Sequence, residues 1–202
     1  MLNQNARGFS LIELMVTVAI AGVLLAVAGP SFSNWIQNTR IRNAAQDIYS
    51  GIQRAKAEAV QRNVQVRFQL TNNLSGSCAL STSGTAWVLS QVDSATPTQD
   101  ASNKCNAAID SATTTPRLLA TRPPESSSNV VVSASASSVV FTSLGKLPAP
   151  VPANDFTIDV TASNGNCASA NGKLTCLRIV VSPAGQTRLC NPRFPAGDPQ
   201  AC

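Results

Sequence analysis

From Phe9 to Pro30 the chain is a run of apolar and small residues in which Glu13 is the one charge. A helix of about 20 such residues spans a bilayer. Any fold must therefore give this stretch an apolar surrounding, either lipid or other apolar helices. The leader before it, Met1 to Gly8, is polar and carries one positive charge, Arg7. That charge favours a cytoplasmic leader, with the residues beyond the run outside the cytoplasm. A secretory signal would follow its apolar core with a small-x-small cleavage site, and Ala26-Val27-Ala28 has that form. Such a reading leaves Glu13 without a role. A carboxylate in hydrocarbon costs roughly 3 kcal/mol or more, so it calls for a partner of opposite charge.

The segment Gly8-Phe9-Ser10-Leu11-Ile12-Glu13-Leu14 resembles the type IV prepilin motif. The resemblance implies that a prepilin peptidase cuts between Gly8 and Phe9 and that Phe9 becomes the N-methylated first residue. It also implies that Glu13 serves assembly by meeting the free amine of a neighbouring subunit. A buried carboxylate beside a buried ammonium is tolerable where either alone is not. Gly22 and Pro30 stand where pilins often carry a Gly and a Pro, and Pro30 is expected to kink the helix or to end its first segment.

Past Pro30 the apolar residues fall at Ile41, Ala45, Ile48, Ile52, Ala55 and Ala59, steps of three and four that trace one helical stripe. Charged residues from Arg40 to Arg62 take the other faces. A helix from Phe9 to Arg62 would be about 80 Å long at ~1.5 Å per residue, more than a small domain covers. After it, Val64, Val66, Phe68 and Leu70 alternate with polar residues as in a half-buried strand. Further strands are expected at Ala86 to Val92, Arg117 to Thr121, Val130 to Ala134, Ser138 to Thr142, Phe156 to Thr161, Leu174 to Val181 and Thr187 to Cys190. Asn164-Gly165 and Asn171-Gly172 are turn signals. Ser94 to Thr115, rich in Ser, Thr and Ala, reads as a loop, and Ser126 to Ser138 as a similar stretch holding a strand. The expected divisions are 1–8 leader, 9–30 membrane and assembly helix, 31–63 amphipathic helix and 64–202 head. The class is α+β and type IV pilin-like: a long N-terminal helix, half membrane and half amphipathic, packed on a β-sheet-rich head.

Catalysis finds little support. The chain has no histidine, which removes Ser-His-Asp and Cys-His chemistry and His-ligated zinc. Asp155 and Asp159 read as a solvated pair on one strand face. The abundant hydroxyls have no base to activate them. No catalytic residue, metal ligand set or cofactor is expected. Cys78, Cys105, Cys167, Cys176, Cys190 and Cys202 contain no Cys-x-x-Cys pair, which favours disulfides in an oxidising compartment. Several connectivities are open. Nearest-neighbour pairing is the simplest: Cys78 with Cys105, Cys167 with Cys176, Cys190 with Cys202.

Three further stretches narrow the resemblance. The segment Asn43 to Asn63, with Ala55-Lys56-Ala57-Glu58-Ala59 within it, looks like the helix of minor pilins and pseudopilins of the FimT, FimU and GspH type. Phe141-Thr142-Ser143-Leu144-Gly145-Lys146 and Gly185-Gln186-Thr187-Arg188 are similar to that family's Phe-x-x-x-Gly-Arg and Gly-Arg-x-Arg segments, with Lys146 and Gln186 as departures. The resemblance implies a minor pilin of a type IV pilus, held in the bacterial inner membrane by one pass with its head in the periplasm. It would then join the filament or its priming or tip complex through other pilins. A minor pseudopilin of type II secretion is the alternative. In the FimT branch the arginines of the last segment are implicated in binding double-stranded DNA. Here Lys173, Arg178, Arg188 and Arg193, with Gly185, are the candidates, and an ordinary solvated basic face fits the same charges. Tyr49 and Trp87 lie elsewhere in the chain and offer this segment no stacking platform.

Overall fold

The computed structural model describes residues 10–124, 129–150 and 152–202, and in the first helix the side chains of 25–31 are outside the described set. The chain divides into two compact units, Met1–Ile36 and Gln37–Cys202.

Helix α1 runs Leu11–Arg62. It stops where Asn63 turns to φ 53°. There the Val64 amide donates to the Ala59 carbonyl at 3.2 Å and the Asn63 amide to Val60 at 3.3 Å, a Schellman closure that gives the last carbonyls donors. Asparagine tolerates this left-handed turn better than most residues. The stripe from Ile41 to Ala59 is fully buried. At Gly51 the helix presses so closely on the sheet that a Cβ would lie 2.8 Å from the Trp87 ring and 3.0 Å from Phe68.

Eight strands follow: β1 Val66–Thr71, β2 Ala86–Gln91, β3 Leu118–Arg122, β4 Val130–Ala134, β5 Ser138–Phe141, β6 Phe156–Ala162, β7 Leu177–Val181 and β8 Thr187–Cys190. They form two four-stranded sheets, β3-β2-β1-β5 and β4-β6-β7-β8, with antiparallel pairs throughout. The inner faces of both sheets and the stripe of α1 share one core, with Phe68, Leu89 and Phe141 from the first sheet and Ile158, Val160 and Ile179 from the second. Burying each such side chain stabilises by about 1.5–3 kcal/mol.

The first sheet departs from the half-buried pattern of its sequence. Gln69, Thr71 and Ser90 on its other face are buried, and the Ser90 hydroxyl donates to Gln69 Oε1 at 3.0 Å. The cover comes from the β1–β2 and β2–β3 connections, whose Cys78, Ala101 and Cys105 pack with Val88 and Leu118 into a second cluster. The Cys78–Cys105 disulfide lies in it. Arg67 reaches out from β1 and donates to the carbonyls of Gln99 and Pro97, each at 2.6 Å, and burial lowers its pKa. So Ser94 to Thr115 is irregular in backbone, as a loop should be, yet folded down onto the sheet.

Candidate functional site

The N-terminal turn comes first. Gly8 and Phe9 lie outside the described residues. The Ser10 hydroxyl accepts the Glu13 amide at 3.3 Å, and the Ser10 carbonyl accepts the Leu14 amide at 3.2 Å. Ser10 thus caps α1 and sets Glu13 in the first turn, where the positive end of the helix dipole favours a carboxylate. The Ser-x-x-Glu spacing of Ser10 and Glu13 is a helix-start signal that sequence reasoning passed over. The apolar side chains of this turn and beyond it are exposed, from Leu11 at 77% through Met15 at 64% to Leu24 at 65%. Helix α1 continues through Gly22 and Pro30, so Pro30 does not end its first segment, and a Cβ at Gly22 would meet nothing within 4 Å. Among the described residues no helix is long and apolar enough to cross a membrane.

The two glycine motifs of the head meet in space. After β5 the chain turns at Gly145, φ 72°, and between β7 and β8 at Gly185, φ 78°. The Gly145 amide donates to Thr142 and the Gly185 amide to Ser182, each at 2.8 Å. A Cβ on Gly185 would stand 1.9 Å from the Gly145 carbonyl oxygen. The Lys56 ammonium of α1 donates to the Gly185 carbonyl at 2.9 Å, and the Leu147 amide donates to Pro183 at 3.2 Å. One turn from each sheet and a lysine from the helix therefore close a joint. Gly185 is held there by packing and hydrogen bonds.

The basic segment divides. Arg178 on β7 faces Asp159 on β6 and donates to both its oxygens at 2.7 and 2.9 Å. That hydrogen-bonded carboxylate raises the Arg178 pKa. Arg178 is therefore no free cation for phosphate, and Asp159 is no partner of Asp155. Arg188 on β8 is exposed; its guanidinium donates to the backbone oxygens of Ala201 at 3.4 Å and Cys202 at 2.9 Å, beside the Cys190–Cys202 disulfide. Lys173 and Arg193 are exposed. Lys173 sits in the loop closed by the Cys167–Cys176 disulfide. Phe194, an aromatic within the segment that sequence reasoning passed over, is half-buried.

The chain resembles known proteins at both ends. The prokaryotic N-terminal methylation motif matches residues 3–29. The fimbrial protein EcpC of Eikenella corrodens is 41% identical over 44 residues, 22% of this chain and 29% of that protein. A fimbrial protein of Pseudomonas aeruginosa is 33% identical over 60 residues, 30% of this chain and 38% of that one. The matches thus span well under half of the length of these curated relatives. In fold, the chain is similar to the type IV minor pilin FimU of Pseudomonas aeruginosa, with a TM-score of 0.50 at 15% identity over 83% of this chain and 98% of that one. The family model described as type II transport protein GspH matches residues 44–185, more than half the chain, and the chain belongs to that family of minor pilins and pseudopilins.

Proposed function

We propose that the chain is a minor pilin of a type IV pilus. Prepilin peptidase would remove residues 1–8 and expose Phe9 for N-methylation. The apolar segment from Phe9 to Pro30 would hold the subunit in the inner membrane, with the head in the periplasm, and would then pack against other pilins in the filament or its priming or tip complex. The observation that carries this reading is the first segment of α1: exposed apolar side chains from Leu11 to Leu24, with Glu13 in the capped first turn. Lateral packing against like helices would bury that surface, and the amine of a neighbour's first residue would neutralise Glu13.

The test is Glu13→Gln in a piliated host. The variant is expected to remain in the inner-membrane fraction and to vanish from sheared filaments. Wild-type recovery in filaments would overturn the reading. The match to the GspH family favours a second reading, a minor pseudopilin of type II secretion. Deleting the pilus motor would abolish filament incorporation under the first reading and leave it intact under the second. DNA uptake is the narrower form of the first reading, with Lys173, Arg188 and Arg193 as the phosphate contacts and Arg178 excluded by Asp159.

A further inference from the structure

An aromatic pair stands where the apolar stretch of α1 gives way to polar sequence. Phe32 and Trp35 are stacked, with ring centroids 5.9 Å apart and planes 23° apart, and they are 61% and 63% exposed. A spacing of three puts both on one side of the helix. Earlier in the same helix Val18, Ile20, Val23 and Leu24 are exposed as well. Beyond them the sequence turns polar, with Gln37, Asn38, Arg40 and Arg42.

Position along the axis says what covers them. From Leu11 to Gly29 α1 rises about 27 Å, close to the ~30 Å hydrocarbon thickness of a bilayer. Measured from Leu11, Phe32 lies about 32 Å and Trp35 about 36 Å along the axis, which is about 2 and 6 Å past a ~30 Å hydrocarbon core and within a headgroup layer of roughly 5–7 Å. Tryptophan is enriched at that depth because its ring is apolar and its indole N–H is a donor.

We propose that the stacked Phe32–Trp35 pair is a bilayer-surface anchor, seated at the lipid–water interface on the head side and fixing the depth of α1 until the subunit leaves the membrane. This rests on the membrane reading above. A lipid interface is the occupant that the axial position favours over a neighbouring subunit.

The chain has two tryptophans, and Trp87 is buried in the head with its indole N–H 3.2 Å from Asp47. The test uses the full chain with Trp87→Phe in phosphatidylcholine–phosphatidylglycerol vesicles, separated by flotation. The vesicles carry nitroxide lipids labelled either near the headgroup or near the acyl-chain end. If Trp87→Phe fails to fold, the difference between the wild-type chain and Trp35→Phe isolates the same signal. The expected result is flotation with the vesicles and quenching of Trp35 about twofold stronger by the shallow label than by the deep one. Flotation with stronger deep quenching overturns the anchor and leaves the membrane reading standing. So does shielding from both labels that disappears on dilution, which would make a second copy the occupant. A chain that stays in the aqueous fraction overturns the membrane reading, and the anchor with it.

Discussion

Replacing Gly185 with alanine tests the joint between the two sheets. Two separate penalties meet there. The backbone sits at φ 78°, where a residue with a Cβ costs roughly 1–2 kcal/mol more than glycine. The new methyl would also stand 1.9 Å from the Gly145 carbonyl oxygen and 3.0 Å from the Lys146 Cα. Relieving that contact means moving backbone that also holds the Lys56 hydrogen bond, and such overpacking costs roughly 1–3 kcal/mol. Together the two penalties come to about 2–5 kcal/mol. Two other glycines separate them. Gly197 has φ 102° but nothing within 4 Å of where a methyl would stand, so Gly197→Ala carries strain alone. Gly84 would place a methyl 2.0 Å from the Thr71 carbonyl oxygen without a left-handed backbone, so Gly84→Ala carries the clash alone. Urea unfolding of the oxidised protein, followed by circular dichroism, should rank the variants Gly197→Ala least and Gly185→Ala most destabilised. Equal midpoints for Gly185→Ala and Gly197→Ala would refute the joint as a point of close packing.

Serine at both Cys78 and Cys105 opens a loop with a sequence separation of 27, worth about 3.5 kcal/mol on the chain-entropy account. The effect should show as a lower urea midpoint and as new protease cuts within 94–115, and unchanged proteolysis there would contradict the cover assigned to that segment. If the head binds duplex DNA through Lys173, Arg188 and Arg193, three phosphate contacts predict about a 40-fold loss of affinity between 50 and 200 mM salt. Arg188→Ala should flatten that dependence, while the double variant Arg178→Gln/Asp159→Asn should leave it unchanged. An equal flattening by the double variant would show that the Asp159 pair does not hold Arg178 back.

Features set by local periodicity were readable in the sequence. Ile41, Ala45, Ile48, Ile52, Ala55 and Ala59 recur at helical spacing and are all buried. The alternation of Phe156, Ile158, Val160 and Ala162 matches the burial of β6 residue by residue. What depends on distant partners was not readable. That β4 and β5, neighbours in sequence, join different sheets leaves no mark in either strand. Arg178 looked like one more cation because Asp159 reaches it only through the register of β6 on β7. Gln69 read as a solvent-facing residue, yet the segment that covers it is Ser- and Thr-rich and held by Arg67 and Cys105 rather than by apolar periodicity. Gly185 was matched to a motif by its spacing, while its contact with Gly145 belongs to the fold.

Under the proposed function this chain is made as a prepilin and matured at Phe9. Intact-mass and N-terminal peptide mass spectrometry of the protein recovered from the envelope of a piliated host measures this directly. The predicted product is a chain that begins at Phe9 and carries one added methyl on its amine. A chain that keeps residues 1–8, or one cut after Ala28 as an ordinary secretory signal would be, would contradict it.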